Sequence, residues 1–447
     1  MTNSPQRRPV HAGPIRVGLI GFGVVGQGIL KLLRDNAPTI EARLGTSIEV
    51  RRVVARDPTK PRLIGLAAPV VTFDPEDVLG DPDVDVVVEV MGGLEPAGAF
   101  VRRAIESGRS VVTANKALLA EHGHELLELA ESRGVDLYYE AAVGGGIPII
   151  RLLREALSSD RVVSVQGIVN GTSNFILSSM RTSGADFAAA LAEAQRLGYA
   201  EADPTLDING GDASHKLTIL AMLAFGARLS PAQIATEGID TVGAMDIHFA
   251  ESFGYTIKPL AIARALPNDT LDLRVHPALV PSTSVLATIS GALNAVLVEG
   301  AMLGPCLISG QGAGALPTAM SVVSDIVDVA RNLLVGAGGR VPARSFRGDQ
   351  LRVQRVQDIG DHRASYYLRF MVRDRPGILA RIAGVLGAFE VSIEQMVQEG
   401  RSKGDDPVAV VMLTHESLER NLQAALREIE FLNDVLEPPR ALRIEQI

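Results

Sequence analysis

The feature that most restricts the fold lies close to the start of the sequence. An apolar run over residues 15–20 is followed at once by Gly21, Phe22, Gly23, Val24, Val25 and Gly26, and then by apolar residues at Val25, Ile29, Leu32 and Leu33. A short continuous apolar run reads as a strand buried on both faces, and spacings of three and four read as a helix, here over 24–36. The six residues between them match G-x-G-x-x-G in the strand-to-helix setting that gives the motif its meaning. Gly21 permits the tight turn, Gly23 lets a pyrophosphate approach the backbone, and Gly26 lets the helix pack against the strand. The phosphates of a dinucleotide would then lie on the helix N-terminus.

The rhythm continues. The stretches 48–55, 84–90, 110–113 and 136–142 read as strands, separated by helix-like segments such as 96–107 and 118–133. Doubly buried strands alternating with helices predict an α/β fold, a doubly wound parallel sheet over residues 1–145. After Gly144, Gly145 and Gly146 the character changes. Residues 146–316 mix helices with β-rich stretches at 162–170 and 271–279, which predicts a second α+β domain. The glycine-rich turn GQGAGALP (310–317) precedes a helix at 318–334, expected to return to the first domain as part of 317–340. A Gly- and Arg-rich stretch predicts a linker over 341–360. Beyond it, strands at 365–372, 391–399 and 407–414 and helices at 377–389 and 418–429 outline a small ferredoxin-like unit at 361–447.

Charge narrows the partners. With 43 Lys and Arg against 52 Asp and Glu, the chain carries a net charge of −9, which opposes binding to nucleic acid or anionic membranes. Cys306 is the single cysteine, so an intramolecular disulfide is impossible and a reducing, cytoplasmic setting is expected. A lone thiol of this kind is read as a packed core residue. No apolar run is long enough to span a bilayer, and the leading MTNSPQRRPVHAGP lacks the apolar stretch of a signal peptide.

Three places carry chemistry. At the end of the second strand, Arg56 and the nearby Lys60 would suit a ribose 2′-phosphate, whereas Asp57 would suit a free 2′-OH, so NADP and NAD both stay open. Thr113-Ala114-Asn115-Lys116 ends a sheet strand, the edge at which open α/β sheets bind ligands, and places Lys116 toward the nicotinamide end. The segment LGYAEADPTLDINGGDASHKLTIL (197–220) sets Asp212 and Lys216 four residues apart on a helix that is otherwise almost wholly apolar. On a surface such a pair is an ordinary ion pair, but on a buried helix charges are costly unless paired or used. His215 has no second His or Cys at ligand spacing. Reduction of a carbonyl needs a hydride at carbon and a proton at the developing alkoxide, which a lysine ammonium can deliver. The anions Glu201 and Asp212 would suit a substrate ammonium group.

GFGVVG (21–26), TANKALLA (113–120), YYEAAVGGGIPII (138–150), NGTSNFIL (170–177), the 197–220 segment and GQGAGALPTA (310–319) together resemble homoserine dehydrogenase along nearly the whole chain. The resemblance implies NADP- or NAD-dependent interconversion of aspartate semialdehyde and homoserine. It implies Lys216 as catalytic acid with Lys116 beside it, and Glu201, Asp212 and Tyr199 around the substrate. For the cofactor it implies the 21–26 loop, Thr113, Lys116 and Gly312. Glu140 with the carbonyls of Val143, Gly145 and Ile147 matches a structural monovalent-cation site, suited to Na+. Family members form dimers through the second domain, so a homodimer or homotetramer is expected. DRPGIL (374–379) and Val391, Ser392 and Ile393 resemble an ACT domain, which implies an amino-acid effector, by analogy threonine. No kinase segment precedes the dinucleotide motif, so the monofunctional form is expected. Two other readings are a different ACT-tailed dehydrogenase, such as phosphoglycerate dehydrogenase, and a non-catalytic sensor. The first would carry its glycine motif well inside the chain. The second would lack the lysines and carboxylates that are present.

Overall fold

The computed structural model describes residues 11–57, 59, 70–399 and 407–447. They form two compact units. One comprises Met1–Val169, Ser214–Gln233 and Asn294–Gln354, the other Asn170–Ala213, Ile234–Leu293 and Arg355–Ile447.

The first unit is built on strands β1 (Ile15–Ile20), β2 (Ile48–Val54), β3 (Val70–Thr72), β4 (Val86–Glu89), β5 (Ser110–Thr113) and β6 (Leu137–Tyr138). All pairings are parallel, in the order β3-β2-β1-β4-β5-β6. This doubly wound order reverses at β1 and β4, where ligands of such sheets bind. The apolar runs explain it: Ile15, Val17, Leu19, Val86, Val88 and Val112 are fully buried. Each such side chain contributes about 1.5–3 kcal/mol by leaving water. Helix Val24–Asp35 covers one face with Ile29 and Leu33, and helix Ala315–Leu334 joins the same core through Val322, Ile326 and Val329. The two helices touch at Gly28, where a Cβ would lie 2.6 Å from the Ala315 carbonyl oxygen. The strand expected at 136–142 ends after Tyr138, and Glu140–Ala142 is a 3-10 turn. Bonds from distant residues impose that turn: the Tyr139 hydroxyl donates to the Ala343 carbonyl at 2.6 Å, and the Glu140 carboxylate accepts from the backbone N–H groups of Ile150 and Arg151. Strand Val162–Ile168 also belongs to this unit and pairs antiparallel with Leu293–Gly300.

In the second unit Tyr255–Leu266 and Thr270–Pro281 form a long antiparallel hairpin. Its turn places Asn268 and Asp269 at positive φ, as a type I′ turn requires. The sheet continues through Arg440–Ile444, Arg363–Arg373, Pro407–Thr414 and Ile393–Glu399. Helices Ile378–Ala388 and Glu419–Glu430 bury Ile382, Leu386, Leu422 and Ile429 against Leu368 and Phe370. The expected βαββα run is thus completed by a sixth element, Arg440–Ile444, into βαββαβ. That last strand pairs Ala278 with Arg443, and Leu442 and Ile444 share a core with Ile176, Ile257 and Leu279. Residues 355–447 therefore fold as part of the second unit.

Between these strands lies a run of buried charge. Asp272, Arg274 and His276 fall on one face of their strand by its two-residue period. Arg274, 1% exposed, donates to Asp272 at 2.8 Å and to Glu445. Arg443 donates to Glu419 at 2.8 Å and to both carboxylate oxygens of Glu237. Burial, with Arg443 and Arg274 nearby, holds His276 well below the usual imidazole range, so the ring is neutral.

Candidate active site

In the first unit β1 runs straight into the glycine loop. Gly21 has φ +119°, and a Cβ there would meet the Val90 carbonyl at 2.8 Å. A Cβ on Gly26 would lie 2.2 Å from the Gly21 carbonyl oxygen, so the loop closes on itself only because both residues are glycine. Gly23 is different: nothing lies within 4 Å of where its Cβ would be. It is exposed, as is Val24, while Phe22 and Val25 are half-buried. No side chain caps helix Val24–Asp35, so its N-terminus presents unsatisfied N–H groups toward this open face. The geometry fits a dinucleotide pyrophosphate.

At the end of β2 Arg56 is exposed, and the Asp57 carboxylate accepts from the Thr59 backbone N–H at 2.8 Å and hydroxyl at 2.7 Å. The acidic residue is thus engaged in its own turn. Lys60 lies outside the described residues. At the end of β5 the Thr113 hydroxyl donates to the buried Glu89 at 2.6 Å. The Asn115 side chain caps helix Lys116–Arg133 through the Leu118 N–H and donates to the Gly93 carbonyl. In the sequence Glu89 looks like an ordinary strand-end residue, and Asn115, within the 113–116 motif, carries no role of its own. Lys116 is half-buried at the first position of its helix, where the macrodipole disfavours a cation.

Lys216 is 8% exposed, and its ammonium donates to the Val169 carbonyl at 2.7 Å. Its helix, Gly211–Phe225, is buried along almost its entire length, as the apolar sequence predicts. Gly312 packs on Asn294 so closely that a Cβ would come within 2.1 Å of its amide carbon. Glu140 is 4% exposed; burial pushes its carboxyl up against the two backbone N–H bonds it accepts. Asp325 accepts from the Glu140 N–H at 2.7 Å, and burial beside Glu140 pushes its carboxyl up to about 8. The Gly145 carbonyl accepts from Ser321, and the Ile147 carbonyl from the Ile149 N–H. Arg151 donates to Asp325 at 3.3 Å, so the two buried carboxyls beside the carbonyls at 143–147 already share one cation of the chain's own. Among the described residues no cluster of three or more His, Cys, Asp or Glu side chains could hold a metal ion.

In the second unit Asp212, 5% exposed, lies in the first turn of its helix and accepts from the Asn170 amide at 2.8 Å. The same amide donates to Asp207 at 2.7 Å. Tyr199 is 48% exposed; its ring lies tilted against Phe175, with centroids 4.7 Å apart, and its carbonyl accepts from Thr172. Glu201 is exposed on the loop that follows. Asn170 and Asp207 lie inside the quoted motifs but received no role from the sequence. The N-cap asparagine of a helix is too common a feature to stand out.

Residues 148–327 match the family described as homoserine dehydrogenase, and residues 21–140 match its NAD binding domain. Residues 366–434 match the ACT domain. A homoserine dehydrogenase of Neisseria gonorrhoeae is 46% identical over 97% of this chain and 99% of its own. The chain belongs to the homoserine dehydrogenase family. It is an oxidoreductase with a nicotinamide-binding domain, a catalytic domain and a C-terminal ACT domain. The crystal structure of a homoserine dehydrogenase from Thiobacillus denitrificans superposes with a TM-score of 0.91, at 47% identity, over 97% of this chain and 98% of that one. A hyperthermophilic archaeal homoserine dehydrogenase in complex with NADPH has a TM-score of 0.60 at 26% identity, covering 71% of this chain and 97% of its own. Among the described residues no helix is long and apolar enough to cross a membrane.

Proposed function

We propose that this member of the family interconverts L-aspartate 4-semialdehyde and L-homoserine, with Lys216 as the general acid. The observation that carries the reading is a lysine buried on an apolar helix with its ammonium fixed on the Val169 carbonyl. An ammonium has three N–H donors, and the bond to the Val169 carbonyl fixes the direction of the group. Lys216 then gives its proton to the aldehyde oxygen as negative charge develops there. Lys116 stabilises the same oxygen and lies next to the cofactor. Asp212 and Glu201 hold the substrate ammonium, and Tyr199 borders it. Gly21, Phe22, Gly23, Val24, Val25 and Gly26 hold the pyrophosphate, with Thr113 and Gly312 toward the nicotinamide. When bound, the nicotinamide supplies or accepts the hydride.

NADP is the favoured cofactor, supported by the exposed Arg56 and by the engagement of Asp57 with Thr59. The archaeal relative bound to NADPH is in keeping with this. A monovalent cation such as Na+ is assigned to Glu140 and the carbonyls of Val143, Gly145 and Ile147. The ACT domain, over 361–447, takes threonine and feeds back on the catalyst, the arrangement expected of an early step in threonine, methionine and isoleucine biosynthesis. The working form is a homodimer or homotetramer in the cytoplasm. Steady-state oxidation of homoserine with NADP+ and with NAD+, with and without threonine, tests the set. Turnover of homoserine with NADP+ preferred supports it, and turnover of a different hydroxy acid alone would replace it.

A further inference from the structure

We infer that Asn170 is a positioning residue for substrate: its one carboxamide ties Asp212, which with Glu201 receives the substrate ammonium, to the neighbouring carboxylate of Asp207. The inference rests on the functional reading above and adds to it a residue that neither touches substrate nor carries charge.

Asn170 is 5% exposed, and every polar atom of its side chain is engaged. Its oxygen accepts the Ser173 backbone N–H at 2.8 Å, capping helix Gly171–Ser183. Its nitrogen donates one N–H to Asp207 at 2.7 Å and the other to Asp212 at 2.8 Å. The two carboxylates sit on different elements, the short helix Thr205–Ile208 and the first turn of Gly211–Phe225. Two like charges sharing one donor group repel, and the hydrogen bond that each accepts from the shared amide offsets part of that repulsion. The neighbouring residues tie down the same segments: the Ser173 hydroxyl donates to the Asp207 carbonyl at 2.8 Å, and the Thr172 hydroxyl to the Tyr199 carbonyl at 2.7 Å. The turn 170–173 thereby fixes three separate stretches of the substrate half of the site.

Only asparagine meets these demands at this length. Aspartate caps a helix as well but has no N–H to give and would add a third negative charge. Serine caps and retains a single donor. Capping and clamping can therefore be separated. If Asn170 were only a cap, Asn170→Asp and Asn170→Ser would behave like wild type, and any loss in Asn170→Ala would follow its loss of stability.

The test is steady-state homoserine oxidation by the full-length chain, alongside thermal midpoints, for wild type, Asn170→Asp, Asn170→Ser and Asn170→Ala. We expect a near-wild-type midpoint for the Ser variant and a lowered one for the Asp variant, whose added buried charge faces two carboxylates. KM for homoserine should rise about 10- to 100-fold in Asn170→Asp and less in Asn170→Ser, the range expected when charge-assisted hydrogen bonds are lost. KM for the nicotinamide cofactor should be unchanged in both. Two variants of equal capping strength then differ in KM, which a role confined to capping does not produce. Wild-type KM for homoserine in a stably folded Asn170→Asp would overturn the clamp while leaving the enzyme's function intact. A wild-type chain that does not oxidise homoserine would overturn both, because the clamp is defined by the ammonium it serves.

Discussion

Replacing Gly23 with Ala separates fold from cofactor binding. The residue is extended, with φ −85° and ψ −156°, and a Cβ there meets no atom within 4 Å. The protein without cofactor should accept the methyl group at no cost, and restricting the unfolded chain can add about 0.4–1 kcal/mol of stability. A pyrophosphate lying over this face would occupy the space the methyl takes. An overpacking cost of about 1–3 kcal/mol would then fall on binding and weaken it roughly 5- to 150-fold. Gly26→Ala is the contrast. Its Cβ would come within 2.2 Å of the Gly21 carbonyl oxygen, a backbone atom that cannot swing aside. Here a cost of about 1–3 kcal/mol should appear in stability as well as in binding. Thermal midpoints and NADPH fluorescence titrations of both variants give the four numbers needed. Wild-type affinity for NADPH in Gly23→Ala would refute the placement of the phosphates.

Three further outcomes follow from particular residues. Burial pushes the Glu419 carboxyl up, but Arg443, Gln423 and Tyr366 outweigh it and hold the group below the usual carboxylate range. In wild type its contribution is therefore present above the unfolded carboxylate pKa and lost as pH falls through the lower folded value. Arg443→Met removes the main opposing charge, so burial should set the folded value above the unfolded one. The variant should lose about 3–5 kcal/mol near neutral pH and recover part of it as the medium approaches the unfolded carboxylate pKa. Denaturation at pH 7.5 and pH 5 checks this, and an equal loss at both would assign the cost to packing. Exchanging choline for Na+ should lower the thermal midpoint if a cation relieves Glu140 and Asp325, and Glu140→Gln should abolish the difference. Isothermal titration of threonine should give saturable binding, reduced by substitution of Gly377, whose φ of +92° opens helix Ile378–Ala388.

The legible parts of the molecule are those whose signal is local. β1, β4 and β5 are short stretches dominated by Val, Ile and Leu that read as buried, and the loop at 21–26 carries its own turn chemistry. Lys216 stood out because the residues around it are apolar. What escaped depends on partners remote in sequence. Glu140 ends a strand early because Ile150 and Arg151 claim its carboxylate. The strand Arg440–Ile444 contains Arg440 and Arg443, which mask its apolar pattern, yet Arg443 is 5% exposed because Glu237 and Glu419 receive it. That pairing also explains why residues 355–447 share a core with the second unit, when the Gly- and Arg-rich stretch before them reads as a linker. Asn170 looked like any N-cap, since the carboxylates it holds lie about forty residues further on.

The central claim is that the ammonium seated on the Val169 carbonyl delivers the proton. Its most direct test compares wild type with Lys216→Ala in homoserine oxidation, with cofactor affinity measured on the same preparations. A fall in kcat of about 10²–10⁴-fold, with NADPH binding nearly unchanged, is the expected result. Wild-type turnover in Lys216→Ala would contradict it.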